Sequence, residues 1–543
     1  MDAAFRIQPL GGVGHFGANA MWLEDCEAGV GIVIDFGVRL MVDEPYGIDF
    51  ALPDISVLEN ATSELAGYVI THAHEDHIGA LPYALRARPA PIFATSFSAR
   101  MIERRFSRSG ESAPLVHEVP LSATRQIGPF RIQWVPVSHS IPDAAAVAVG
   151  TRLGWLVHSG DFRVDLDPAI GVPTDLEGLT KLGDEGVYCL MADSTGADAP
   201  GKNPGEKSVY GPLLHAVEDA PGRVVVATFS SHVPRLKMLE QLATATNRKL
   251  CIVGRGMRSV VEIAKRQGLL SAAVLCDDGQ IVGVPRERQL IAGTGSQGEP
   301  GSALWLLAHQ KHSFIELEAN DRVIFSSRVI PGAELQILDV IDRLRTQNVD
   351  VLDGRNGRHV SGHGTQEDLE MLLAATRPRF FVALHGDPRQ LHAHRNLARK
   401  MGVAPERILP VESGDSLRFL QNGGARIDAG FRQEPVASGS VVVHEPQGLL
   451  AARKRMATGG VLWVRRENTE IVFHSHALDP AVGAEDLEKI RELADQLEGP
   501  VAERVSRLAK QFIRLRVRVP EIMWPCDEGP DGHPGPSENK GVP

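Results

Sequence analysis

Residues 71–81, THAHEDHIGAL, put four ligand-type side chains within six positions: His72, His74, Asp76 and His77. The apolar run GYVI precedes them and reads as a buried strand. His72 and His74 lie two apart on extended chain and so share one face. Asp76 and His77 follow at once, where the chain is expected to turn into a helix. Imidazole and carboxylate are the ligands that suit zinc, manganese or iron. One such cluster fills only part of a metal site, so the fold has to bring further ligands to it from distant segments.

Three other apolar runs end in suitable groups. WVPVSHSIPD supplies His139, VHSGDFR supplies Asp161 and FFVALHGD supplies His385. Each sits just past an apolar run, where an α/β sheet places ligand-binding groups. Seven ligands suit two ions. His72, His74 and His139 form one set, Asp76, His77 and His385 the other, with Asp161 bridging. An isolated His of this kind is more often a hydrogen-bonded core residue. The ordered set HxHxDH, SH, GD and HGD is not explained that way.

The rest of the chain fits a soluble α/β enzyme. Its 543 residues, 43% hydrophobic and 23% charged, support two to four folded domains. No apolar run long enough for a membrane span occurs, and the start, MDAAFRIQPLGG, does not read as a secretory signal. The five cysteines (Cys26, Cys189, Cys251, Cys276, Cys526) form no CxxC pair, so a reducing cytoplasm is expected. The net charge of −11 argues against nucleic-acid binding if read as a sum. It is silent on local distribution, and bound divalent ions add charge that the sum omits.

Short β-rich runs with turn signals fill residues 1–203. Strand-then-helix alternation follows over 204–360, the signature of a parallel sheet. Residues 361–430 return to the first pattern, and 424–438 reads as a boundary. A small α+β segment is expected over 436–521, with an amphipathic pattern from 484 to 514. The Pro- and Gly-rich tail, 522–543, is expected to be disordered.

The order and spacing of these ligands resemble the metallo-β-lactamase superfamily, and the seven positions match its metal ligands. Asp35, in IVIDFG, matches a buried aspartate that supports the metal loop. The resemblance implies an αββα sandwich. The strand–helix segment resembles the inserted β-CASP domain of nucleic-acid-cutting members. MADSTGA carries Asp193 as its acidic motif, HVSGHG carries His363, and His385 is the third motif.

Beyond these, the chain resembles the ribonuclease J family over residues 5–430, in LGGVGHFGAN, GIDFALPDISVLEN, SHSIPDA, HSGDFRVD, TGSQGEPGSAL and FSSRVIPGAE. The last hundred residues match less, mainly in RKRMATGGVLWV and RLRVRVPEIMWP. Some positions depart from the family pattern. His15 stands where a glutamate is usual, SSRVIPGA replaces SSSPIPGN, and His444 stands at the carboxylate position of a calcium site that would include Gly47 and Asp49.

The resemblance implies two divalent ions, zinc first, with manganese or magnesium as alternatives. It implies an RNA substrate cut internally and from the 5′ end, His363 as general acid and Asp193 as its orienting partner. Asp193 also reads as a helix N-cap. A phosphate pocket would take Ser231, His232 and Val233 from SSHV and His359, Val360, Ser361, Gly362 and His363 from HVSGH. Ser231 and His232 equally read as an ordinary strand-end turn. The resemblance further implies a homo-dimer or homo-tetramer and RNA-decay partners.

TGSQGEP reads as a structural loop, His158 as a residue behind the ligands, RKR at 453–455 as a solvated face, and Arg514, Arg516 and Arg518 as one face of a strand. Two other enzyme readings stay open. A lactonase or thioesterase of the same fold would lack the inserted segment, and a DNA nuclease would keep it. A scaffold that has lost activity would be expected to have lost ligands.

Overall fold

The computed structural model describes residues 3–41, 48, 50–274, 278–330, 332–430 and 432–438, and residues 441–523 with short gaps. The chain divides into two units, Met1–Asp43 with Asp49–Val441, and Glu44–Ile48 with Val442–Pro543.

The large unit is built on two facing sheets. One runs through Ala425–Asp428, Ser416–Leu420, Ala3–Gly11, Ala20–Asp25, Val30–Ile34, Glu64–Val69, Ile92–Ala94 and Val116–Glu118. The other runs through Phe380–Leu384, Val187–Asp193, Gly154–His158, Ala145–Thr151, Phe130–Pro136 and Thr124–Ile127. Their inner faces share one apolar core that includes Ile32, Val69, Trp134, Val147, Leu190 and Phe381. Helices Leu176–Glu185, Gln366–Thr376 and Pro388–Lys400 add Leu179, Leu372 and Leu391 to that core. This is the expected mixed sandwich. Strand Val187–Asp193 is buried at every position, which is why VYCLMAD reads as a continuous apolar run.

A separate parallel sheet is inserted between Val187–Asp193 and Phe380–Leu384, which pair directly with each other. Its strand order is Lys249–Val253, Gln289–Gly293, Val224–Ala227, Arg322–Phe325 and Asp350–Leu352. It has its own core, with Val225, Ile291, Val323 and Leu304. The chain leaves Val224–Ala227 first to one side and later to the other. SSHV therefore emerges where the winding reverses, the crevice at which such sheets bind ligands.

The small unit packs Glu470–His476, Val461–Glu467 and Glu521–Met523 as a sheet. Leu462, Val464, Ile490, Leu508 and Phe512 form its core. The 484–514 pattern becomes two helices, Ala484–Asp495 and Val501–Arg514, rather than one. Arg514 thus ends a helix and is not on a strand, because the helical repeat of Leu508 and Phe512 carries through to it. Arg516 and Arg518 lie outside the described residues, as do Gly47, Asp49 and all of the tail beyond Met523. The RKR run lies on helix Gln447–Gly459.

Candidate metal centre

The metal loop is tied down from behind. Asp35 ends strand Val30–Ile34 in a left-handed conformation, φ 58°, which turns its carboxylate inward. It accepts the Thr71 N–H at 2.8 Å, the Thr71 hydroxyl at 2.7 Å and His77 Nδ1 at 2.7 Å. The Nδ1 proton of His77 is thus committed to Asp35 and Nε2 faces the site. A Cβ on Gly37 would lie 1.7 Å from the Asp76 carbonyl oxygen, so only glycine lets the backbone pass the short helix Glu75–Ile78. The structure therefore gives Asp35 the supporting place expected of it.

All seven sequence-derived ligands converge. His72 Nε2 and His139 Nε2 each lie 3.1 Å from His74 Nδ1, and 3.7 and 3.8 Å from Asp161 Oδ2. On the other side, His77 Nε2 lies 3.3 Å from Asp161 Oδ1 and 3.7 Å from Asp76 Oδ2. His385 Nε2 is 3.3 Å from Asp76 Oδ2. Donors about 2.1 Å from a tetrahedrally bound zinc sit roughly 3.4 Å apart. The spacing of both sets fits such an ion, and Asp161 belongs to both groups.

The remaining nitrogens of His139 and His72 have partners that fix their rings. His139 Nδ1 donates to the Gly362 carbonyl at 2.8 Å, and His72 Nδ1 meets the Thr71 hydroxyl at 3.0 Å. Burial pushes His72 and His139 well below the usual imidazole range, with neighbouring histidines adding to the effect. Burial likewise brings His74 down to about 4. Their lone pairs are thereby free for a cation.

His363 sits beside both sets, its ring 4.9 Å from that of His139 and 5.5 Å from that of His385. His363 Nδ1 donates to Asp193 Oδ2 at 2.7 Å. Burial opposes a charged His363, but the Asp193 carboxylate outweighs it and raises the imidazole above its ordinary value. Asp193 Oδ1 accepts the Thr195 N–H at 2.9 Å and its hydroxyl at 2.7 Å. The aspartate thus closes a turn with Oδ1 and holds His363 with Oδ2; no helix starts there, so its capping group serves a turn at the end of strand Val187–Asp193 and not the helix N-cap also read from the sequence.

The HVSGH loop is held by its carbonyls. Ser361 O accepts from Arg163 Nη1 at 3.0 Å and Asn203 Nδ2 at 2.9 Å, and Asn203 Nδ2 also reaches His363 O at 2.8 Å. Val360 is buried. His359 is held low, to about 4, by burial and then by the Arg235 charge. Of SSHV, Ser231 is half-buried, whereas Val233 is buried as the first residue of helix Val233–Ala245. The His232 imidazole is turned inward, where Nδ1 accepts the Arg235 N–H at 3.3 Å and caps that helix. His232 and Val233 thus face a ligand only through their backbone.

Asn19, Thr195, Asn203, Arg163 and Glu206 escaped the sequence reading. Asn19 Nδ2 contacts Asp76 Oδ2 at 3.3 Å, and Thr195 Oγ1 contacts His385 Nδ1 at 2.8 Å. A signal existed only for Thr195, in DST. His158 lies with His77 and Asp161 on a small cavity behind the centre, and its Nδ1 accepts the Gly160 N–H at 3.0 Å. Gln297 of TGSQGEP bonds Arg328 O and the Ile330 N–H, as suits a structural loop.

Three family models match the chain: a beta-lactamase superfamily domain over 48–203, the beta-CASP domain of ribonuclease J over 221–344, and a Zn-dependent metallo-hydrolase RNA specificity domain over 355–408. The chain is 35% identical to ribonuclease J of Synechocystis, over 85% of this chain and 72% of that protein. It is 33% identical to ribonuclease J of Sinorhizobium meliloti, over 84% and 82% of the two chains. For ribonuclease J of Mycolicibacterium smegmatis the values are 37%, 76% and 75%. In fold alone it is similar to a protein of unknown function from Enterococcus faecalis, with TM-score 0.53 and 15% identity, covering 76% of this chain and 99% of that one.

Proposed function

The chain belongs to the ribonuclease J family of metallo-β-lactamase nucleases with an inserted β-CASP domain, and from that premise we propose how it acts. It is a metal-dependent ribonuclease. It hydrolyses RNA phosphodiester bonds at a dinuclear centre, both internally and in the 5′-to-3′ direction from the end, favouring 5′-monophosphate ends. The observation that carries this reading is the placement of His363, hydrogen-bonded to Asp193 and beside both ligand sets.

His72, His74, His139 and Asp161 would hold one ion, and Asp76, His77, Asp161 and His385 the other. Five imidazoles and two carboxylates suit zinc best, with manganese accepted by the same donors. Two such ions supply an activated water and positive charge against the phosphate under attack. The chain's own groups do the rest. Asp193 takes the Nδ1–H of His363, so Nε2 is the position from which a proton passes to the leaving 3′ oxygen. The Asp193 carboxylate favours the protonated form of that imidazole. The hydroxyl of Ser361 and the backbone of Gly362 and SSHV line the place for a terminal phosphate. RNA as substrate is supported by the names of the relatives and by the RNA specificity model.

The test is product analysis on end-labelled RNA carrying 5′-monophosphate or 5′-hydroxyl ends, with zinc or manganese added. Mononucleotides released faster from monophosphorylated RNA are expected. Intact RNA under all conditions would remove the reading.

A further inference from the structure

Between the two phosphate loops lies a knot of buried charge. Arg163, Asp165, Glu206, His232 and Arg235 are each at most 6% exposed. Arg163 Nη2 is 3.4 Å from Asp165 Oδ2, and its Nη1 is 3.6 Å from Glu206 Oε2. Arg235 Nε donates to Glu206 Oε1 at 2.7 Å, and His232 Nε2 lies 3.6 Å from Glu206 Oε2. Arg163 and Asp165 belong to the sandwich, following strand Gly154–His158. His232 and Arg235 open helix Val233–Ala245 of the inserted domain. Glu206, on the short turn Glu206–Val209, stands between them.

Each cation also holds a loop. Arg163 donates to Ser361 O at 3.0 Å, within HVSGH. Arg235 Nη1 donates to Ser326 O at 3.2 Å and to the Ser326 hydroxyl. That hydroxyl in turn donates to Arg358 O at 2.6 Å, just before His359. Because His232 Nδ1 accepts the helix amide, Nε2 carries the ring proton and faces Glu206. Glu206 is ionised: burial opposes its charge, yet Arg235, His232 and Arg163 hold it down at about 2. Buried ion pairs of this sort add little net stability but select one arrangement, since a partner left alone is costly.

We propose that Glu206 is a positioning residue that ties Arg163 of the sandwich to His232 and Arg235 of the inserted domain, and so sets the spacing of the SSHV and HVSGH loops around a terminal phosphate. This rests on the reading of those loops as a 5′-monophosphate pocket. Glu206 has no hydrogen bond to any metal ligand, to His363 or to Asp193 among those described. His363 in the same loop keeps its own holds, from Asn203 Nδ2 on its carbonyl and from Asp193 on its ring, so loss of Glu206 acts first on recognition of the 5′ end.

The experiment compares wild type with Glu206→Gln on one RNA sequence bearing either a 5′-monophosphate or a 5′-hydroxyl. KM for the monophosphorylated RNA should rise about tenfold or more, with kcat and both constants for the hydroxyl RNA within about threefold. The double variant Glu206→Gln/Arg235→Gln, which removes both charges together, guards against misfolding and should show the same split. Retained preference for the monophosphate in either variant overturns the proposal, as does an equal loss on both RNAs. A wild type that does not discriminate the two ends strikes instead at the pocket reading itself, and the proposal falls with it.

Discussion

At the metal centre, side chains do the holding, and the backbone serves only to aim them. At the adjacent HVSGH loop the order is reversed, because buried side chains of Arg163, Asn203 and His139 hold backbone carbonyls of Ser361, Gly362 and His363. The two regions meet at Gly362, whose carbonyl fixes His139. An ion demands particular donor atoms, so its site is written in residue types. A phosphate asks for oriented N–H groups and hydroxyls, which many residues can present once a scaffold sets the backbone.

That contrast orders the expected effects. Removing a ligand attacks the centre itself. His77→Ala should abolish binding at its ion site and lower RNA cleavage on the order of 10³-fold, read by metal analysis together with turnover. Normal activity in that variant would dissolve the distinction between the regions. Asp193→Asn leaves every proposed ligand in place but takes the negative partner from His363. Turnover should fall on the order of 10²-fold with metal content unchanged. A parallel loss of metal would trace the effect to the contact of Asp193 Oδ1 with His385 Nδ1, 3.3 Å away, rather than to His363.

How far these two regions could be read beforehand differs for the same reason. THAHEDHIGAL, His139, Asp161 and His385 were legible because metal chemistry admits few side chains, and strand ends announced themselves as apolar runs stopping at Gly or Pro. The inserted parallel sheet was legible from its strand–helix alternation. Glu206 and Arg163 were not, since their partners lie elsewhere in the chain and no local pattern records a long-range ion pair. For His232 the sequence leaves a phosphate contact and a strand-end turn equally open; the side chain turns inward, because an imidazole at a helix start can cap the helix. The 484–514 pattern concealed a break between two helices of like periodicity.

Smaller effects sharpen the boundary between the regions. Asp35→Asn weakens the hydrogen bond to His77 without touching an ion, and should cost about 10- to 100-fold in metal affinity, measured by competition with a chelating dye. Gly362→Ala places a Cβ 2.9 Å from His139 Cε1 and from Ser140 Oγ. It should lower stability by about 1–3 kcal/mol in denaturant unfolding, since the neighbours must shift. An unchanged midpoint would show that the loop yields more freely than its hydrogen bonds imply.

The Glu206 carboxyl adds a pH signature. Its pKa is lowered from 4.5 to about 2 on folding, so its contribution is full above pH 4.5 and is lost as pH falls toward 2. The stability gap between wild type and Glu206→Gln should therefore narrow across that range in denaturant titrations. A gap that does not change with pH would separate the carboxylate's charge from its role.

Asp161 belongs to both ligand groups and would serve two ions at once. Metal content measured on purified wild type and Asp161→Ala, with anomalous scattering to locate the ions in crystals, addresses this directly. Two ions per chain, about 3.5–4 Å apart with Asp161 between them, are expected in wild type, and a depleted centre in the variant. A single ion, or a pair that survives in Asp161→Ala, would contradict it.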